Sequence, residues 1–108
     1  MKVMPEQGVH NMIRKHIKVR GRVQGVGFRY TAMGLAQKCS LTGWVRNNYD
    51  GSVEMEVQGA DHRVDLFLQE IRSGKPCGNR WIRIDQMDVS EIPLVNAAKE
   101  KGFIPRSY

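Results

Sequence analysis

The chain has 108 residues, of which 41% are hydrophobic and 26% charged. That length suits one domain, able to bury roughly two thirds of its unfolded surface without disulfide or metal staples. No apolar run approaches the roughly 20 residues of a membrane span, and the opening MKVMPEQGVHNMIRK lacks the apolar stretch of a secretory signal, so a cytoplasmic location is expected.

Two cysteines, Cys39 and Cys77, are too few and too far apart for a zinc site, and passive thiols are the expectation. The net charge of +6 admits nucleic acid, an anionic membrane or an anionic small molecule as partner. Arg14, Lys15, Lys18, Arg20 and Arg22 crowd one segment, whereas Glu54, Glu56, Asp61, Asp65 and Glu70 come later. Either the cations are solvated surface charge, or they set a positive field around the glycine-rich stretch that follows them.

Residues 1–13 lack a sustained period, carry Pro5 and Gly8, and are expected to form a flexible extension ahead of a single domain over 14–108. From 16 to 23 the pattern alternates, with Ile17, Val19, Gly21 and Val23 on one face and His16, Lys18, Arg20 and Arg22 on the other, as in a half-buried strand. After the glycines the period changes. Phe28, Ala32, Leu35, Ala36 and Cys39 share one helical face, so a helix should start near Phe28. Alternation returns over 41–47 and 52–58, and Asp50-Gly51 between them signals a hairpin. Val64, Phe67, Leu68 and Ile71 mark a second amphipathic helix, with Asp61 as its expected cap and Gly74 at its end. A strand over 81–89 slips phase, with Ile82 and Ile84 on one face and Met87 and Val89 on the other, which predicts a bulge near Asp85 and Gln86. A loop or short helical turn over 93–102 then leads to a short strand at Phe103 and Ile104, which Pro105 would confine to a sheet edge.

The order β-α-β-β-α-β with one extra edge strand predicts an α+β, ferredoxin-like split β-α-β sandwich, with two helices on one face of a mainly antiparallel sheet. In that topology the first two strands run parallel and flank the third. The loop over 24–27 and the strand end at Arg46, Asn47 and Asn48 should therefore meet at one edge.

A loop with Gly25 and Gly27 lets successive backbone N–H groups turn inward without side chains in the way, and the following helix adds its unpaired donors and positive dipole end. Arg29 contributes a planar fork suited to a phosphoryl or carboxylate group. A plain glycine-rich turn with a surface arginine is the alternative. The Lys-Ser/Thr pair of G-x-x-x-x-G-K-[ST] is missing, so a nucleotide P-loop is not expected. No paired carboxylates or metal-ligand histidine spacing occurs, and the loop offers no nucleophile. His10, His16 and His62 read as ordinary surface histidines.

The stretches "GRVQGVGFR" and "GWVRNNYDGSVE" resemble the motifs of the acylphosphatase family, strongly over 14–58 and more loosely beyond. The resemblance implies an enzyme that hydrolyses the carboxyl-phosphate anhydride of acyl phosphates without metal or organic cofactor. It implies a cradle for phosphate in the backbone of Gln24, Gly25, Val26, Gly27, Phe28 and Arg29, with Arg29 and Asn47 as catalytic residues. Arg29 would hold the phosphoryl oxygens and Asn47 would orient the attacking water. Asn48 could equally fill a turn-capping role, and the motif spacing selects Asn47 over it. Because a carboxylate leaves readily, positioning and charge stabilisation suffice, which accounts for the missing nucleophile.

Expected partners are a small acyl phosphate and inorganic phosphate, as product and inhibitor, with the protein a monomer and neither nucleic acid nor membrane involved. Pro105 between Phe103-Ile104 and Arg106 departs from the family's terminal strand. A nucleic-acid-binding module on the same scaffold is the main alternative, but it needs aromatics on the central strands, where this chain has Lys18, Arg20, Glu54 and Glu56 and where Trp44 stands alone. A non-catalytic, anion-binding regulatory domain is the other.

Overall fold

The computed structural model describes residues 11–107. Of the expected extension, residues 1–10, His10 among them, lie outside the described residues, and Met12 and Ile13 stand in the first strand. In chain order the elements are β1 (Met12–Arg22), α1 (Phe28–Lys38), β2 (Thr42–Asn47), β3 (Val53–Ala60), α2 (Asp61–Arg72), a 3-10 turn (Pro76–Gly78), β4 (Arg83–Ile92), a second 3-10 turn (Ala97–Lys99) and β5 (Phe103–Arg106). The sheet order is β4-β1-β3-β2-β5. Both β1 and β2 run antiparallel to β3, so they are parallel to each other, and Val53 faces Val19 on one side and Asn47 on the other. The C-terminal ends of β1 and β2 therefore lie at one edge, as the ferredoxin-like order requires.

Alternation sorts the strands into two faces. Ile17, Val19, Val45, Val53, Met55 and Val57 are buried under the helices, which contribute Phe28, Ala32, Leu35 and Ala36 from α1 and Val64, Phe67, Leu68 and Ile71 from α2. Burying a side chain such as Phe67 or Ile71 contributes about 1.5–3 kcal/mol. Cys39, expected on the same face as Phe28, is only partly buried, and both cysteines are free thiols.

The opposite face is a layer of ion pairs. Arg14 is 2% exposed and donates through Nε to Glu56 (2.8 Å), and through Nη1 and Nη2 to the two carboxylate oxygens of Glu100 (2.8 and 2.9 Å). Trp44, also buried, lies beneath the guanidiniums of Arg46 and Arg106, 5.2 and 4.7 Å from the ring centre.

Several expectations are adjusted. Asp61 is the first residue of α2, and the cap position belongs to Ala60. Strand and helix join without a linker, so the Asp61 carboxylate sits in the first turn, where the helix dipole favours it, and accepts from the His62 amide at 2.7 Å. The bulge in β4 is present: Arg20 faces Gln86 and Gly21 faces Ile84, leaving Asp85 as the extra residue. At the other edge, β5 pairs in parallel with β2, and the ladder passes through Val45 with Pro105 to Arg46 with Arg106. Pro105 fits because an edge strand can spare one donor.

Candidate active site

The stretch between β1 and α1 is shaped by two glycines in the left-handed region, Gly25 at φ 74° and Gly27 at φ 80°. Gly27 is also the cap residue of α1, and it supplies no side-chain acceptor; no acidic residue occupies the first turn. The backbone N–H groups from Gly25 to Tyr30 accordingly donate to no acceptor among the described residues, and the first helical bond runs from Thr31 N to Gly27 O at 2.9 Å. A helix start left without a cap ordinarily costs about 1 kcal/mol. Here the free donors lie at the dipole's positive end, an arrangement that suits an anion.

The loop is held from two sides. The Gln24 side-chain amide donates to the carbonyls of Asn48 (2.8 Å) and Ser52 (2.9 Å), tying the loop to the β2–β3 turn. Asn79, just before β4, donates through Nδ2 to Val26 O at 3.0 Å and, more weakly, to Thr31 Oγ1 at 3.4 Å. The β2–β3 turn is itself fixed by Asp50, whose Oδ1 accepts from the Ser52 hydroxyl (2.6 Å) and amide (3.0 Å). Those bonds, with Arg20 behind them, hold the Asp50 carboxyl well below the usual carboxylate range.

Gly25, Gly27, Phe28, Arg29 and Asn47 line one concavity of about 370 Å³, completed by Val23, Tyr30, Met33 and Pro105. Gln24 and Val26, expected in the same cradle, do not line it; the Gln24 side chain and the Val26 carbonyl are turned to the supports just described. Arg29 is exposed and has no hydrogen-bond or ion-pair partner among the described residues. Asn47 Oδ1 is buried and has no partner either.

Asn48 differs from Asn47. Its side chain donates to Ser52 Oγ (2.9 Å) and Glu54 Oε1 (3.3 Å), so its amide is engaged in the turn. Glu54 also meets His16 Nε2 at 2.5 Å and Arg46 Nη2 at 3.1 Å. Burial pushes the Glu54 carboxyl up, but the bonds from His16, Arg46 and Asn48 outweigh it and hold the group below its ordinary value. His16 is thus a paired residue of the open sheet face, not the plain surface histidine expected.

The cation crowding of β1 is largely neutralised. Arg14 pairs with two glutamates, Lys15 with Glu91 (3.3 Å), and Arg20 with Asp50 (3.1 Å) while Lys18 lies 3.9 Å from the same carboxylate. Among the described residues, Arg22 and Arg29, which flank the loop, have no ion-pair partner.

Comparison with known proteins agrees with the geometry. The acylphosphatase family model matches residues 15–104. The chain belongs to the acylphosphatase family. An acylphosphatase of Geobacillus thermodenitrificans is 59% identical over 79 residues, which is 72% of this chain and 84% of that one. The crystal structure of acylphosphatase from Bacillus subtilis superposes with a TM-score of 0.76 at 32% identity, covering 87% of this chain and 98% of that one. Full-length HypF in its phosphate- and nucleotide-bound form matches with a TM-score of 0.78 at 33% identity, over 92% of this chain but only 12% of that one. As an acylphosphatase the protein is an enzyme, and its reaction is the hydrolysis of acyl phosphates to carboxylate and phosphate. The alternatives of a nucleic-acid module and of a non-catalytic anion-binding domain give way to this activity.

Proposed function

We propose that this acylphosphatase works through positioning and charge alone. The loop amides at residues 25–29 and the Arg29 guanidinium hold the phosphoryl group, Asn47 orients the attacking water, and no metal ion or organic cofactor takes part. The water oxygen attacks phosphorus as the bond to the carboxylate oxygen breaks. The carboxylate departs with the bonding electrons, and the proton of the water ends on the phosphate. Fixed N–H donors and a guanidinium aimed at the phosphoryl oxygens stabilise charge as it redistributes, without reorganising during the reaction.

The observation that carries this reading is the pair of unsatisfied groups on one concavity. Among the described residues Asn47 Oδ1 is a buried acceptor with no donor, and Arg29 is a cation with no anion. A buried acceptor left unpaired costs about 1–3 kcal/mol. A water that donates to Asn47 Oδ1 offsets that cost and is held beside the phosphoryl site. The lining carries no carboxylate, imidazole or thiolate, the groups that bind catalytic metals. No group of three or more such side chains suited to a metal occurs among the described residues.

On the same reading the enzyme acts as a monomer, with Arg29, Asn47 and the loop of a single chain making up the site. It acts in the cytoplasm, and phosphate, its product, competes with substrate. Hydrolysis of a simple aryl acyl phosphate by purified protein in excess EDTA tests the proposal. Turnover should be unchanged by the chelator and competitively inhibited by inorganic phosphate. Activity that vanishes on chelation and returns with a divalent metal would contradict it.

A further inference from the structure

The cradle's shape depends on which way its peptide planes face, and one side chain far away in sequence controls one of them. Asn79 Nδ2 donates to Val26 O at 3.0 Å, 53 residues back along the chain. The amide's orientation is fixed independently, because Asn79 Oδ1 accepts from Trp81 N at 3.0 Å, so the NH2 end must face Val26. The peptide between Val26 and Gly27 is trans and planar, with its N–H opposite its C=O. With the carbonyl captured by Asn79, the Gly27 N–H is turned away from Asn79.

We propose that Asn79 is a positioning residue for the phosphate cradle: it captures the Val26 carbonyl and so directs the Gly27 N–H into the anion site. The inference rests on the phosphate-cradle reading above.

The local geometry makes this support necessary. Gly25 and Gly27 both adopt positive φ, and no backbone N–H from Gly25 to Tyr30 is pinned by an internal acceptor. A glycine-flanked peptide with no backbone bond has little to stop it rotating. Gln24 secures the loop's first residue to the β2–β3 turn, and Asn79 secures its last peptide to the segment before β4. That segment is in turn held to itself: Asn79 N donates to Pro76 O (3.1 Å) and Ile82 N to Asn79 O (3.3 Å), while Ile82 is fully buried in the core. The anchor is therefore stiff. Asn79 itself does not line the concavity and touches no substrate; it acts through the peptide it holds.

The test uses the full chain labelled with 15N and titrated with inorganic phosphate, comparing the wild type with Asn79→Ala, Asn79→Asp and Thr31→Val. Thr31→Val removes only the weaker contact and should behave as wild type. Asn79→Ala loses the donor, and Asn79→Asp keeps the acceptor for Trp81 N and the shape but replaces the donor with an acceptor. Both Asn79 variants should bind phosphate about tenfold more weakly, the scale of one lost hydrogen bond. The phosphate-induced shift of the Gly27 amide should shrink, and kcat/KM should fall in step with phosphate affinity. A merely structural role predicts a lowered Tm with the Gly27 response intact.

Wild-type phosphate affinity and Gly27 response in Asn79→Ala would overturn the proposal. Loss in Asn79→Asp alone would overturn it too, since repulsion by the added charge would then explain the effect. Should Asn79→Ala not fold, wild-type binding and Gly27 response in Asn79→Asp overturn it. Wild-type titrations that spare residues 25–29 would instead remove the cradle reading, whatever Asn79 does.

Discussion

Arg29 and Asn47 differ in what their chemistry can contribute, and that difference predicts different failures. Arg29 offers five donors in a planar fork and has no competing anion among the described residues. It can hold the phosphoryl group in the ground and transition states alike. Arg29→Ala should therefore weaken phosphate inhibition and lower kcat/KM by about 3 kcal/mol or more, the range for removing a preorganised charge-stabilising donor. Arg29→Lys should not restore it, because a point charge lacks the bidentate geometry. Recovery of half or more of wild-type kcat/KM by the lysine variant would show that charge alone suffices. Motif spacing selects Asn47 over Asn48, and the two side chains have distinct surroundings: Asn48 is bonded to Ser52 and Glu54, while Asn47 Oδ1 has no partner among the described residues. Asn79 was invisible in the sequence because its partner Val26 is remote and nothing about N-R-W signals a tie to a loop.

At the scale of elements, the helices and the hairpin were legible because their signals are local. The i, i+4, i+7 spacing from Phe28 and the Asp50-Gly51 turn sit within one element each, and α1 begins at Phe28 as that spacing predicts. The phase slip in β4 located its bulge for the same reason. The start of β1 was not legible. Lys15 falls on the face of Ile13 and Ile17 and breaks the alternation, yet it is accommodated by reaching Glu91 across the β1–β4 edge. Nor could Arg14 be read as buried, because Glu56, Gln58 and Glu100 arrive from 42, 44 and 86 residues away.

The bond from Arg14 holds the Glu100 carboxyl below its ordinary value against the opposing effect of burial. Since the folded state binds that proton less readily than the unfolded chain, Glu100 stabilises fully above the ordinary glutamate range, near about pH 4.3, and the contribution is lost as pH falls through the lower folded value. Glu54 acts with the same sign. Glu100→Gln should cost about 1.5–3 kcal/mol at neutral pH, as for a hydrogen bond to a charged group. It should also flatten the decline in Tm from about pH 6 to pH 3. Parallel Tm-against-pH curves for variant and wild type would show that Glu100 is not part of the acid response.

Across the whole molecule, two residues 18 positions apart in sequence come together because β1 and β2 flank β3 and end at one edge. The fold thus assembles the candidate site from the β1–α1 loop and the β2 terminus, while Arg14 and Arg20 of β1 are held in ion pairs with Glu56, Glu100 and Asp50. On the proposed mechanism, phosphate binding and water positioning are separate jobs held by separate side chains. The measurement that addresses it most directly is kcat for aryl acyl phosphate hydrolysis by Asn47→Ala, with the phosphate inhibition constant read in the same assay and Asn48→Ala beside it. A fall in kcat of about a hundredfold or more is expected for Asn47→Ala with the inhibition constant close to wild type, and a much smaller fall for Asn48→Ala. Near-wild-type kcat in Asn47→Ala would contradict it.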